Sequence, residues 1–231
     1  MTINAPDGRV IPLRLEINPK ARRLILRLDQ KAREAVAVAP NRRSLAEAAG
    51  FAQEKATWIA DELSKVPENI PFIEGSVIPF RGEDLRLSME GPGRLARIEL
   101  RDGVSTLVAP GSPDTFKSRI FRFLKKSAKE DLTFYVEHHC QLLNVKAKRI
   151  SVKDTRSRWG SCTSDGNLSF SWRLVCAPPD VLNYVAAHEC AHLLEMNHSK
   201  RFWAHVERCM PDWQLYRFWL DKHGSELHAL G

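Results

Sequence analysis

Residues Ala177–His198 read APPDVLNYVAAHECAHLLEMNH. Pro178, Pro179 and Asp180 open this stretch as helices open, with proline at the first positions and an acid in the first turn. The residues that follow predict a helix running to Asn197, a residue type that adopts the left-handed conformation ending many helices. On such a helix His188 and His192 lie one turn apart and only ~40° round the axis, so both imidazoles can reach one ion. Glu189 lies ~60° round from His192. That is too far to join the pair as a ligand, but close enough to touch a water on the ion. The spacing H-E-x-x-H thus supplies two ligands and one base from a single turn.

A catalytic zinc takes three protein ligands and keeps one position open. The helix cannot supply the third from the same face without crowding, so the chain must turn and come back. His198 follows Asn197 directly, and Ser199 can cap a new helix that fixes it. His188, His192 and His198 are therefore the candidate ligands, and Zn2+, one per chain, the candidate cofactor. Glu195, on the same helix, and Glu207, on the next, are rival third ligands. Elsewhere, the adjacent His138 and His139 read as surface residues of a long helix. His205 reads as a packing residue near the site, and His223 and His228 as solvated. Cys190 falls on the side of the helix away from the histidines and reads as core. Cys162 is the thiol nearest the expected cleft, with sheet packing as its ordinary role.

Composition narrows the class. With 43% hydrophobic and 27% charged residues in 231, the chain is an ordinary globular protein. Its net charge of +7 is compatible with nucleic acid, a membrane surface or an acidic substrate. Yet the basic runs, such as KARR and FRFLKKSAK, are short, and no nucleic-acid-binding motif accompanies them. Five cysteines, an odd number with no C-x-x-C pair, point to free thiols in a reducing compartment. No apolar stretch has the length of a signal h-region or a membrane helix. The expectation is a soluble, cytoplasmic protein with no membrane partner.

The fold class expected is α+β. Residues 1–111 read as a strand-rich N-terminal domain with one helix. RVIPLRLEI, RRLILRLD, REAVAVAP, SVIPFRG, DLRLSM, LARIEL and VSTLVAP have strand patterns, and Ser44–Lys65 a helical one capped by Ser44. Residues 112–231 read as a second domain. Ser112 and Pro113 start a long helix to about Leu143. RISVKDT, SRWGSCT and LSFSWRL then form a small antiparallel sheet, in which LSFSWRL alternates through Leu168, Phe170, Trp172 and Leu174. The active-site helix follows, then a helix from Ser199 to about Cys209 and a last one from Pro211 to Gly224. Trp203, Trp213, Trp219, Phe202 and Phe218 sit at helical spacing and read as core. No internal repeat stands out.

Three stretches, RSRWGSCTSDGNLSFSWRL, PPDVLNYVAAHECAHLLEMNHSKRFW and PDWQLYRFWL, resemble the YgjP-like metallopeptidase family, also described as SprT-like or predicted metal-dependent hydrolases. The resemblance covers most of the chain and is strongest from Arg156 to Leu220. It implies a zincin-like domain of the gluzincin type, with His188, His192 and His198 as metal ligands and Glu189 as general base. It also implies that Arg158, Trp159, Gly160 and Ser161 form an edge strand beside the cleft, where an extended polypeptide substrate adds by backbone hydrogen bonds.

The expected activity is zinc-dependent peptide hydrolysis, with a zinc-bound water activated by Glu189. Arg156, Arg158, His205 and Tyr216 are candidates for a second oxyanion donor. Two alternatives stand beside this reading. One is a DNA-associated, SprT-type protease acting on nucleic-acid-bound proteins. The other is a metal-binding scaffold without turnover, which leaves the carboxylate of Glu189 without a use.

Overall fold

The computed structural model describes residues 1–29, 32–65, 67–91, 93–155 and 158–231. The fold is α+β, with strands concentrated in the first half and helices in the second. Among the described residues no helix is long and apolar enough to cross a membrane. The chain divides into two compact units, Met1–Asn69 and Ile70–Gly231. The change of pattern at residue 111 falls inside the second unit. There the strands that precede it, through Ile78, Leu85, Leu87 and Leu107, share one core with Phe116, Ile120 and Leu124 of the helix that follows.

The first unit is a four-stranded sheet covered by two helices. Its strands are β1 (Thr2–Asn4), β2 (Val10–Ile17), β3 (Ile25–Asp29) and β4 (Glu34–Ala39), in the order β1-β2-β4-β3. The central pair β2–β4 is parallel and the outer pairs are antiparallel. The helix expected over Ser44–Lys65 is two, α1 (Leu45–Glu54) and α2 (Ala56–Ser64), parted at Lys55. Ser44 caps nothing with its side chain. Asn41 takes that role, accepting from the Ser44 N–H at 3.1 Å and opening a short 3-10 turn that leads into α1. Ala48, Ala52, Ala56, Ile59, Ala60 and Leu63 form one buried stripe against Ile11, Leu13 and the alanines of β4.

The second unit starts with a sheet of the same topology. Strands β5 (Val77–Phe80), β6 (Glu83–Ser88), β7 (Arg97–Arg101) and β8 (Val104–Val108) are ordered β5-β6-β8-β7, again with a parallel central pair. The repeat is one of topology, which is why no repeated residue pattern shows it. Helix α3 (Pro113–Leu143) follows, opened by a reciprocal capping box between Ser112 and Thr115 with Pro113 in the first turn. Asn144, at φ 55° and ψ 47°, ends it in the left-handed conformation.

The third sheet holds β9 (Arg149–Lys153), β10 (Gly160–Cys162) and β11 (Asn167–Ser171) in the order β10-β11-β9. The hairpin β10–β11 is antiparallel as expected, but β9 pairs parallel to β11, so the sheet is mixed. The alternation read through Leu174 stops at Ser171. Residues Trp172–Cys176 coil into a 3-10 turn in which every side chain is buried, Arg173 included.

Helices α4 (Pro179–Ala191), α5 (Lys200–Cys209) and α6 (Trp213–His228) complete the unit. Helix α4 ends six residues before Asn197. Beyond Ala191 the bonds tighten to i−3, Leu193 N to Cys190 O and Leu194 N to Ala191 O, both 3.1 Å. Helix α6 runs through Gly224 rather than stopping there.

Candidate metal centre

Helix α4 is buried almost all round: from Val181 to Ala191 no residue is exposed. Its last turn carries the polar groups. His188 is within the helix and His192 is the residue just past it, still in right-handed helical conformation, so the one-turn spacing of the two rings survives the early end of the helix. The two rings stand 5.0 Å apart, centroid to centroid. The tightened turn brings the chain back, and Asn197 shapes the return by accepting from the Ser199 N–H at 3.0 Å. Ser199 then caps α5, accepting from Phe202 N at 3.3 Å. Between these two local bonds sits His198.

The structure brings His188, His192 and His198 together, with one ligand-type atom from each, all within 4.8 Å of one another. Nε2 of His188 faces Nε2 of His198 at 3.2 Å. Nitrogens bound to one tetrahedral ion at 2.0–2.1 Å lie roughly 3.3 Å apart, so the gap between these two already suits a shared ion. Nδ1 of His192 donates to the carbonyl of Glu195 at 3.0 Å, which leaves its Nε2 with a free lone pair. Burial pushes the His188 imidazolium down to about 3, with the charges of His192, His198 and Arg217 adding to it. Burial likewise lowers His192. Neutral imidazoles are the form that binds metal. Phe202, fully buried, packs against all three rings at 4.4 to 4.8 Å between centroids.

Glu189 is 5% exposed, and burial raises its carboxyl to about 8. Its Oε2 has no hydrogen-bond partner among the described residues, and neither has Nδ1 of His188. Orphaned polar atoms of this kind call for an explanation. The orphaned Oε2 fits a site completed by an ion and its water, and the donor set of three imidazoles fits zinc. Gly160 of β10 lies directly against this carboxylate. A Cβ there would stand 2.5 Å from Oε1 and 2.6 Å from Cγ of Glu189. The strand comes this close because residue 160 has no side chain.

The other expectations fare variously. Glu195 takes part through its carbonyl, and Glu207 is exposed on α5, outside the histidine group. The edge strand starts at Gly160 rather than Arg158: Arg158 is exposed two residues before it, and Ser161 is half-buried within it. Cys162 is half-buried too, its thiol raised to about 11 by burial and then by the charge of Glu189. Cys190 is core, with Sγ 3.9 Å from that of Cys140, and all five cysteines are free. Among the oxyanion candidates, Arg156 lies outside the described residues. His205 and Tyr216 are half-buried, and among the described residues neither hydrogen-bonds the site.

Two histidines, His139 and His228, are corrected, while His223 stays at the surface. His139 is 1% exposed and its Nε2 meets Oδ1 of Asn183 at 2.6 Å, so it ties α3 to α4. His228 stacks on Trp159, centroids 4.4 Å apart and planes at 22°. His223 pairs with Glu226 at 3.0 Å. Sequence reasoning missed the contacts of Gly160 and Gly224. The available signal was a glycine inside a strand and another inside a helix, each of which marks close approach.

No curated protein sequence matches the chain. One solved structure, the metallopeptidase zymogen of Pyrococcus abyssi abylysin, aligns with 39% of this chain and 93% of its own at 18% identity. Its TM-score is 0.36, too partial a likeness to bear on fold or site. A family model described as the YgjP-like metallopeptidase domain matches residues 22–223, most of the chain. The chain belongs to the YgjP-like metallopeptidase family.

Proposed function

We propose that the protein is a zinc-dependent peptidase in which His188, His192 and His198 hold one ion and Glu189 is the general base. The observation that carries this reading is the convergence of three imidazoles, two of them in the same turn as the buried Glu189, whose Oε2 has no partner among the described residues. When bound, the ion supplies Lewis-acid chemistry, lowering the pKa of a water and polarising a carbonyl. Glu189 takes the proton of the attacking water and passes it to the leaving amine. A carboxyl raised by burial is suited to both transfers, since its affinity for the proton lies near neutrality. The tautomer of His192 is held by the Glu195 carbonyl. Burial around Phe202 and Tyr184 keeps bulk water from the inner side of the rings.

The edge strand β10, with Arg158 and Trp159 leading into it and Gly160 and Ser161 within it, receives an extended polypeptide by backbone hydrogen bonds. Its outer side is open because β10 pairs only with β11 among the described residues. The chemistry falls within residues 112–231, which we take as the catalytic part of the unit Ile70–Gly231. A cytoplasmic location is part of the same reading and is supported by five free thiols.

The test is proteolysis of unfolded polypeptides by zinc-loaded wild type and Glu189→Gln. Gln keeps the shape but cannot accept the proton, so the rate falls ~10²–10⁴-fold at equal zinc occupancy. Equal activity in both proteins refutes Glu189 as base. No cleavage of any peptide by loaded wild type refutes the peptidase reading.

A further inference from the structure

Trp159 lies one residue before Gly160, whose backbone presses on Glu189. The indole does not face outward along the edge strand. It stacks on His228 of α6 at 4.4 Å, and its edge meets the backbone of the same helix at Gly224. A Cβ on Gly224 would stand 3.0 Å from Cζ2 of Trp159. Glycine inside a helix costs about 1 kcal/mol relative to alanine. Helix α6 carries this glycine where the indole needs the room.

Both partners of the stack are held firmly. The carbonyl of Trp159 accepts from Ser171 N at 2.8 Å, which ties it to β11. On either side of His228, Leu227 and Leu230 are buried, and the carbonyl of Leu230 accepts from Nη2 of the buried Arg173 at 3.2 Å. Residues 229–231 also pair with Ile70, whose N–H donates to Ala229 O at 3.0 Å and whose carbonyl accepts from Gly231 N at 3.1 Å. Arg173 in turn bonds Asp154, which also accepts from Trp172 Nε1 at 3.0 Å. Asp154 follows β9 directly.

We infer that the end of α6 is a clamp that positions the edge strand, and that the indole of Trp159 is a positioning group rather than a side chain that contacts substrate. The route is short: His228 and Gly224 fix the indole, the indole fixes Gly160, and Gly160 fixes the carboxylate of Glu189. The inference rests on the peptidase reading for its effect on turnover, but the clamp itself is a property of the fold.

The experiment uses the full chain loaded with Zn2+, comparing wild type with His228→Ala, His228→Phe and Gly224→Ala. Three quantities are read: hydrogen exchange of amides 159–162, zinc per chain, and kcat and KM on a peptide that wild type cleaves. In His228→Ala, exchange at 159–162 rises while zinc stays at the wild-type level. The same variant loses kcat on the order of ten-fold, short of the ~10²-fold that a 1 Å misplacement costs. His228→Phe, which keeps a flat ring, restores both. Gly224→Ala pushes the indole without emptying the core and moves both readouts in the direction of His228→Ala, which covers the case in which that variant fails to fold. Unchanged exchange at 159–162 in His228→Ala and Gly224→Ala overturns the clamp. Loosened exchange with unchanged kcat overturns the positioning role, and so does a rise in KM alone that His228→Phe leaves unrepaired. If loaded wild type cleaves nothing, the peptidase reading fails instead, and the exchange measurement still decides the clamp.

Discussion

Helices α1 and α2 of the first unit and α4 of the second come after strands that pair alike. Strand β4 is parallel to β2, and β11 is parallel to β9, each two strands back. Their burial differs. The first pair buries a single stripe of alanines with Ile59 and Leu63 and leaves its charged residues outside. Helix α4 is enclosed over eleven successive residues from Val181 to Ala191 and takes in a carboxylate and a histidine ring. A one-sided stripe is the mark of a helix that holds a sheet in place. Burial of a charge without a partner is unfavourable and is kept where chemistry uses it. Topology is thus shared between the regions, and function lies in the residues placed on one of them.

The comparison breaks most severely at Ile59. It is fully buried in the stripe, so Ile59→Ala should cost about 2–5 kcal/mol of stability in the first unit. Zinc per chain in whatever remains folded should be unchanged. Denaturation and metal analysis on one sample check both. Loss of zinc in the folded fraction would mean that the first unit takes part in the site.

Gly160→Ala probes the enclosed helix. The added methyl meets Glu189 at Cγ and Cδ, 2.6 and 2.8 Å away, and the carboxylate must move. A displacement near 1 Å lowers turnover ~10²-fold. Zinc binding should hold, because no imidazole is touched. Wild-type kcat in this variant would show that the strand does not set the position of the base.

A smaller effect separates the units by pH. All 8 histidines lie in the second unit, from His138 to His228. Burial holds His139 and His228 below the ordinary 6.5. Both are therefore neutral in the folded chain while the unfolded chain takes up protons below about 6.5. Their contribution to stability is present above that pH and is lost as pH falls towards their depressed values. In metal-free protein, hydrogen exchange should show the second unit loosening between about pH 7 and about pH 5 while the first holds. His139→Phe should reduce the slope. A first unit that loosens equally would remove this distinction.

Much of the site was legible because its spacing is local. His188, Glu189 and His192 share one turn, and His198 and Ser199 follow a visible reversal. The long helix α3 was legible as well, through its apolar stripe and the Ser112–Pro113 start. What escaped depends on partners far along the chain. Gly160 and Glu189 are 29 residues apart in number, and Trp159 and His228 are 69 apart. No periodicity signals such contacts. The end of α4 was placed too late because the residues after Ala191 remain good helix formers, and the chain leaves the helix to bring His198 back. His139 read as surface because its pairing with Asn183 is set by the packing of α3 on α4. The mixed pairing of β9 escaped because alternation gives a face and not a direction.

The central claim is that three imidazoles hold the ion beside Glu189. X-ray absorption at the zinc edge of loaded wild type, His198→Ala and Glu207→Ala reads the ligands directly. Wild type and Glu207→Ala should show three imidazole nitrogens at about 2.0–2.1 Å. In His198→Ala the count should fall to two, with zinc bound more weakly. An imidazole count unchanged in His198→Ala, with an oxygen ligand lost in Glu207→Ala, would contradict the account.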